Sequence, residues 1–152
     1  MTINWCLRKD VVNLPTKKIK NMGLFKNIFG SDTSKSEEKK LFINWIPLSS
    51  LSQLEEIKEQ SKTESIGIFK HSTRCGISRG VVRQFENSFD EELSTLKVYY
   101  LDLLNFREIS NEVGIQFQVL HQSPQLLMIK NEHTVAHAAH YDIMSIDLKK
   151  YV

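Results

Sequence analysis

The sequence predicts an α/β protein built on a mixed four-stranded sheet with helices on both faces. From residue 52 onward, the predicted order is helix, strand, helix, strand, helix, strand, strand, helix. Strands joined through a helix usually run parallel, whereas strands joined by a tight turn run antiparallel, so one sheet should contain both directions. The chain has 152 residues, of which 41% are hydrophobic and 25% charged, and this composition suits one domain with a sizeable core.

Local patterns justify the elements of the first half. The run Ser52-Gln53-Leu54-Glu55 fits a capping box, which predicts a helix that continues to about residue 60. Residues 65–71 form a short, bounded run rich in β-forming residues, which predicts the first strand. Apolar residues at helical spacing then predict a helix over residues 78–89.

The same signals assign the second half. Residues 97–104 and 125–130 have the composition of strands, and residues 106–117 between them are predicted to be helical. A turn leads into a fourth strand at about residues 134–140, and residues 143–151 are expected to close the domain as a helix. This order of elements is the architecture of the thioredoxin-like fold.

The charge distribution divides the chain near residue 40. Residues 1–40 carry nine basic and four acidic side chains, whereas residues 41–152 carry eleven and fourteen. The first segment lacks a sustained apolar period, which predicts a basic, disordered extension and linker ahead of a domain at residues 41–152. We expect residues 1–21 to be dispensable, with Met22 as a candidate initiator. The mildly acidic domain argues against a nucleic-acid partner.

The cysteine content and the hydropathy limit the compartment. Two cysteines cannot supply a disulfide framework, which favours a reducing compartment and predicts a cytoplasmic protein. No apolar run approaches the roughly 18 residues that span a bilayer, and no secretory signal pattern is present. We expect a monomer with no membrane partner.

Candidate chemistry concentrates at Cys75, between the first predicted strand and the following helix. Backbone N–H groups at a helix start lack intrahelical partners and, with the helix dipole, favour a thiolate. Between Glu64 and Glu86 the sequence has no acidic residue but four basic ones, which are Lys70, Arg74, Arg79 and Arg83. The alternative is a buried, unreactive cysteine, because a Cys-x-x-Ser motif alone is weak. The position and the charge pattern together favour a nucleophile.

The pair Ser123-Pro124, just before the third predicted strand, is a second candidate feature. A cis proline at a strand entrance is rare and is a deliberate feature where it occurs. In thioredoxin-like proteins such a proline lies beside the cysteine, and the backbone before it pairs with the substrate. A strand-initiating trans proline is the alternative. Together with Cys75 and the order of elements, the sequence favours a cis bond.

Three separated segments resemble the YtxJ-like monothiol bacilliredoxins of the bacillithiol system. They are residues 22–30 (MGLFKNIFG), 68–78 (IFKHSTRCGIS) and 121–125 (HQSPQ). The resemblance implies that Cys75 is the single active-site cysteine, that Ser78 occupies the resolving position and that Pro124 is the cis-proline. The neighbouring residues expected to contact the substrate are Thr73, Arg74, Gly76, Ile77 and Ser123. Many members carry proline at the position of Gly76, and we expect the glycine to loosen this loop.

The resemblance also implies a function, namely a thiol-disulfide oxidoreductase that removes bacillithiol from protein mixed disulfides. Cys75 would take bacillithiol from a client protein onto itself, and a second low-molecular-weight thiol would regenerate it. The hydroxyl of Ser78 can hydrogen-bond a thiolate but cannot form a disulfide. Bacillithiol would therefore be a co-substrate, and no bound cofactor is expected.

Two other functions remain open at this point. The motif Cys75-Gly76-Ile77-Ser78 differs by one residue from the Cys-Gly-Phe-Ser of monothiol glutaredoxins, which carry an iron–sulfur cluster with glutathione. Those proteins have a Gly-Gly-Asp-type segment after the fourth strand, where this chain has Ala138-Ala139-His140. A non-catalytic thioredoxin-like module in stress-response interactions is the third possibility. We expect no metal site, because His133 and His137 share one strand face while His140 points away.

Overall fold

A five-stranded mixed sheet forms the centre of the computed structural model, which describes residues 41–152. The predictions for residues 1–40, including the family-like segment at 22–30, lie outside the described residues. The strands are β1 (Trp45–Pro47), β2 (Ile66–His71), β3 (Lys97–Asp102), β4 (Gln125–Lys130) and β5 (His133–Ala139). The α-helices of this range are α1 (Ser52–Gln60), α2 (Gly76–Asn87) and α3 (Arg107–Gln116).

The strands lie in the order β1-β3-β2-β4-β5. β1 and β2 both run parallel to β3, whereas β4 is antiparallel to β2 and β5 is antiparallel to β4. Lys70 near the end of β2 pairs with Gln125 at the start of β4. The loop that follows β2 and the segment that precedes β4 therefore meet at the same end of the sheet.

Helices cover both faces of the sheet, as the sequence predicts. Leu54 of α1 and Val113 of α3 pack with Ile68 of β2 in one buried cluster. Phe85 of α2 packs with Phe69 of β2 in the other. All six residues of β2 are buried, because this strand lies at the centre of the sheet with helices on each side. No helix within residues 41–152 is long and apolar enough to cross a bilayer.

The sheet has five strands instead of the four predicted, and the strand that was not predicted is β1. It has only three residues and ends at Pro47, so it is too short to show an alternating pattern. Pro47 is tolerated because β1 lies at the edge of the sheet. Trp45 of this strand contacts the rings of Phe69, Phe85 and Tyr100, and these contacts fix the strand against the core.

The predicted capping box does not form at α1. Leu51 is the N-cap residue and makes no side-chain capping bond, because the helix already begins at Ser52. Gln53 instead ties the helix to the segment before it, since its Oε1 accepts hydrogen bonds from the backbone N–H groups of Ser49 (2.8 Å) and Ser50 (3.0 Å). Four-residue motifs do not say which residue is the cap when several serines precede the helix.

The predicted closing helix at residues 143–151 is also wrong. The chain forms two short 3₁₀ segments instead, His140–Ser145 and Leu148–Tyr151. Residues 146 and 147 between them have extended ψ angles of 120° and 93°, which interrupt any continuous helix. The buried residues Ile143 and Leu148 are five positions apart, and this spacing suits two separate turns better than one face of an α-helix.

Candidate active site at Cys75

Cys75 lies where the loop after β2 enters α2. It is the N-cap residue of that helix, with an extended backbone (φ −95°, ψ 123°), and its N–H donates to the carbonyl of Ser72 at 3.1 Å. The helix begins at Gly76, two residues earlier than predicted, so Cys75 is at its very start. Its side chain is partly exposed. The unpaired N–H groups of the first turn and the helix dipole favour negative charge on a sulfur at this position.

The basic residues near Cys75 divide into two groups. Arg74, Arg79 and Arg83 are exposed, and no ion pair within residues 41–152 involves them. Their positive charge is therefore free to act on an anion at the start of α2. Lys70, which the sequence groups with them, is completely buried. It does not contribute to the exposed charge around the thiol.

Ser78 is fully buried on the first turn of α2. Its Oγ accepts a hydrogen bond from the N–H of Ser72 at 3.1 Å and lies 2.7 Å from Nδ1 of His71. Within the described part of the chain, no hydrogen bond joins this hydroxyl to the Cys75 sulfur. The serine therefore fastens the loop to the helix, whereas the sequence suggested only a bond to the thiolate.

His71 is the buried partner of Ser78 and was not predicted to belong to the site. Burial lowers the pKa of His71, the charge of Asp102 opposes this shift, and Arg79 adds to it. A neutral imidazole has one donor and one acceptor nitrogen, so it can pair with a hydroxyl in either direction. The ring also packs on Tyr100, with ring centroids 5.5 Å apart. His71 thus holds the base of the loop that carries Cys75.

The peptide bond between Ser123 and Pro124 is cis, as the sequence predicts. Pro124 is buried, and its carbonyl accepts a hydrogen bond from the N–H of His140 at 2.9 Å. Ser123 is partly exposed, and its Oγ has no hydrogen-bond partner among residues 41–152. Because Lys70 pairs with Gln125, the segment before β4 and the Cys75 loop lie at the same end of the sheet.

The other predicted contact residues flank Cys75 in the sequence. Thr73, Arg74, Gly76 and Ile77 are all exposed, and Ile77 exposes 57% of its surface. A Cβ added to Gly76 would meet no atom within 4 Å, and its φ is not positive. The geometry does not require glycine, and the first position of a helix is one that proline occupies readily. The looser loop expected from glycine at this position stays a prediction.

The three histidines weighed as metal ligands lie on β5 and at its end. His133 and His137 are exposed on β5, and the register with β4 shifts between them, because Met128 pairs with Ala136 and Ile129 with Thr134. This shift breaks the alternation that predicted a shared face, and His140 begins the 3₁₀ segment after the strand. Within residues 41–152, no group of three or more His, Cys, Asp or Glu side chains could hold a metal ion.

A second polar cluster supports the segment before β4 from the opposite face of the sheet. The Nζ of Lys70 lies 3.0 Å from Nδ1 of His121 and donates to Oε1 of Gln125 at 3.2 Å. Burial lowers the pKa of Lys70 to about 8. The pKa of His121 is lowered by burial and by the charges of Lys70 and Arg107. The sequence did not reveal this cluster because Lys70 lies 51 and 55 residues from its two partners, although a lysine within an apolar strand is a signal.

Comparisons with known proteins agree with this arrangement. The model of the family "Monothiol bacilliredoxin BrxC" matches residues 46–148. A solved structure described as a candidate oxidoreductase with a thioredoxin fold is 31% identical, with a TM-score of 0.56 over 65% of this chain and 85% of that one.

Two thioredoxins show the same fold at lower identity. Thioredoxin from Trypanosoma brucei brucei is 19% identical, with a TM-score of 0.58 over 72% of this chain and 89% of its own. Thioredoxin from Schistosoma mansoni is 18% identical, with a TM-score of 0.54 over 74% of this chain and all of its own. The thioredoxin-like fold predicted from the order of elements is confirmed.

Proposed function

The chain belongs to the monothiol bacilliredoxin family, and from that premise we propose that it removes bacillithiol from protein mixed disulfides through Cys75. Family membership and the thioredoxin fold support a thiol oxidoreductase role. The observation that carries the finer proposal is the partly exposed Cys75 at the start of α2, with a serine at the position three residues later. Its partners would be bacillithiolated client proteins and a low-molecular-weight thiol.

The proposed reaction has two thiol–disulfide exchanges. The Cys75 thiolate attacks the bacillithiol sulfur of the client's mixed disulfide, the bond to the client sulfur breaks, and the client leaves as a thiolate that takes up a proton. A second small thiol, as its thiolate, then attacks the bacillithiol sulfur on Cys75. That step forms a small-molecule disulfide and releases the Cys75 thiolate. The client is reduced by two electrons, and the two small thiols are oxidised to one disulfide.

Because residue 78 is a serine, the Cys75–bacillithiol mixed disulfide would need a second small thiol to be resolved. A serine oxygen cannot form a disulfide, and this hydroxyl is already bonded to His71 and Ser72. Cys75 is the one cysteine within residues 41–152, so the described domain holds no internal thiol that could displace bacillithiol. The Cys75–bacillithiol adduct is therefore expected to accumulate when small thiols are withheld.

The test follows a bacillithiolated client by mass spectrometry with wild type, Cys75→Ser and Cys6→Ser. Cys6→Ser is the matched control, because it removes the chain's other cysteine. Wild type and Cys6→Ser are expected to clear the client adduct at the same rate, and Cys75→Ser is expected to be inactive. Clearance by Cys75→Ser at the wild-type rate would overturn the proposal.

The same preparations separate the proposal from its two rivals. Visible absorbance of an iron–sulfur cluster in protein purified without oxygen, lost in Cys75→Ser, would favour the cluster carrier. Absence of any adduct on Cys75 and of any clearance would favour the non-catalytic module.

A further inference from the structure

Lys70 is a buried ammonium group without a carboxylate partner. It exposes none of its surface, and none of the ion pairs within residues 41–152 includes it. Its contacts are the Nδ1 of His121 at 3.0 Å and the Oε1 of Gln125 at 3.2 Å. Taking a charge out of water without an opposite charge is unfavourable, and an apolar side chain would avoid that cost. Such a residue calls for a role other than stability.

Lys70 and Gln125 together tie down the segment that leads to the cis-proline. Gln125 is 1% exposed, and its Oε1 also accepts the backbone N–H of Gln122 at 3.2 Å. Its Nε2 donates to the carbonyl of Leu120 at 2.9 Å. One side-chain amide thus binds the backbone at two points of the segment 120–124. Lys70 holds that amide in place, since the two residues are also register partners in the sheet.

The contact with Lys70 also decides which nitrogen of His121 carries the proton. An ammonium group can only donate, so Nδ1 of His121 must accept. In the neutral ring, the proton is then on Nε2. His121 is exposed, although its Nδ1 also lies 3.4 Å from the Ser110 hydroxyl. The ring therefore offers Nε2–H as its donor, two residues before Ser123.

We propose that Lys70 is a positioning residue for client binding. With Gln125 it holds the segment 120–124 in the shape that receives the client's backbone. Its contact with His121 also fixes the Nε2–H of that ring as a hydrogen-bond donor to the client protein. The inference rests on the proposed exchange reaction. It assigns Lys70 no contact with the reacting sulfurs, because the ammonium is buried beneath the segment.

The first part of the test needs no activity. NMR of ring nitrogens and of backbone amide exchange is recorded at pH 7 for wild type, Lys70→Met and Lys97→Met. Lys97 is the matched control, because its ammonium is at the protein surface with Glu64 and not beneath this segment. We expect Nε2–H on His121 in wild type and Lys97→Met. In Lys70→Met we expect a mixture of tautomers and amide exchange of Gln122 at least 10-fold faster. An unchanged tautomer and unchanged exchange would overturn the proposal.

The second part measures how the same variants react. Lys70→Met should lower the second-order rate with a bacillithiolated client at least 10-fold, while alkylation of Cys75 by iodoacetamide stays within 2-fold. Equal losses in both reactions would mean a general distortion and would overturn the positioning role. His121→Asn, which keeps an acceptor near the position of Nδ1, should react faster with the client than His121→Leu. If Lys70→Met does not fold, the comparison of His121→Asn with His121→Leu still tests whether the His121 contact matters for reaction with the client. If wild type shows the predicted His121 tautomer but does not carry out thiol–disulfide exchange with the client, the proposed function is refuted. The structural role of Lys70 is then left intact.

Discussion

Replacing Lys70 with methionine should change how stability depends on pH. Lys70 has a folded-state pKa of about 8, whereas the unfolded value is 10.5, because burial disfavours the charged form. Between these two values the unfolded chain binds more protons than the folded chain. The contribution of Lys70 to the free energy of unfolding therefore rises with pH across this window, and Lys70→Met removes that rise.

The expected rise in the free energy of unfolding follows from the folded and unfolded pKa values of Lys70. Linkage with these pKa values gives a rise of about 1.4 kcal/mol between pH 7 and pH 9. Relaxation of the surrounding groups around the buried charge reduces the effect, so we expect about 1 kcal/mol. His121, the titratable group in contact with Lys70, has a lowered pKa and titrates below this range. Among residues 41–152, no acidic group contributes to the shift of Lys70.

The assay is urea denaturation of wild type, Lys70→Met and Lys97→Met at pH 7, 8 and 9. The free energy of unfolding of wild type minus that of Lys70→Met should increase by about 1 kcal/mol from pH 7 to pH 9. Lys97→Met is the surface control, because its side chain is about two-fifths exposed beside Glu64. A difference for Lys70→Met that is constant or falls with pH would refute the reasoning.

Three other changes have definite expected outcomes. Ser78→Cys places a thiol three residues after Cys75, and mass spectrometry should show an internal disulfide in place of the trapped adduct; persistence of the adduct would contradict this geometry. Removing residues 1–21 should leave the thermal midpoint and the exchange rate unchanged, and a loss of several degrees would show that the segment matters. Phe85→Ala deletes a ring that is 1% exposed between Trp45 and Phe69, so urea denaturation should show a loss of about 3–5 kcal/mol. A loss below about 1 kcal/mol would mean that the core repacks.

The fold could be predicted because its central elements have strong local patterns. β2 is a short run that contains Ile66, Ile68 and Phe69, and α2 carries buried residues at helical spacing. The errors fall where local patterns are weak. β1 has three residues and gains its stability from Trp45 packing on distant rings. The 3₁₀ segments after β5 contain the same apolar residues that a helix would, and only their backbone angles distinguish the two.

The reactive residue of the candidate site could be predicted, but its supporting groups could not. Cys75 can be identified because a cysteine at a strand–helix junction has its thiolate favoured by the start of the helix, and this effect depends little on the rest of the fold. His71 and Lys70 are adjacent in a strand and therefore face opposite sides of the sheet, but the sequence does not say that both are buried. Gln125 becomes evident as the partner of Lys70 only once the register of β2 and β4 is known. Ser78 becomes evident as the partner of His71 only once the first turn of α2 is placed against β2.

Intact mass spectrometry after exposure to oxidised bacillithiol and, separately, to oxidised glutathione tests the central claim most directly. We expect one bacillithiol adduct per chain, located on Cys75 by peptide mapping and absent from Cys75→Ser. We also expect that a small thiol removes the adduct and that Cys6→Ser behaves as wild type. No adduct on Cys75 with oxidised bacillithiol, or an adduct only with oxidised glutathione, would contradict the account.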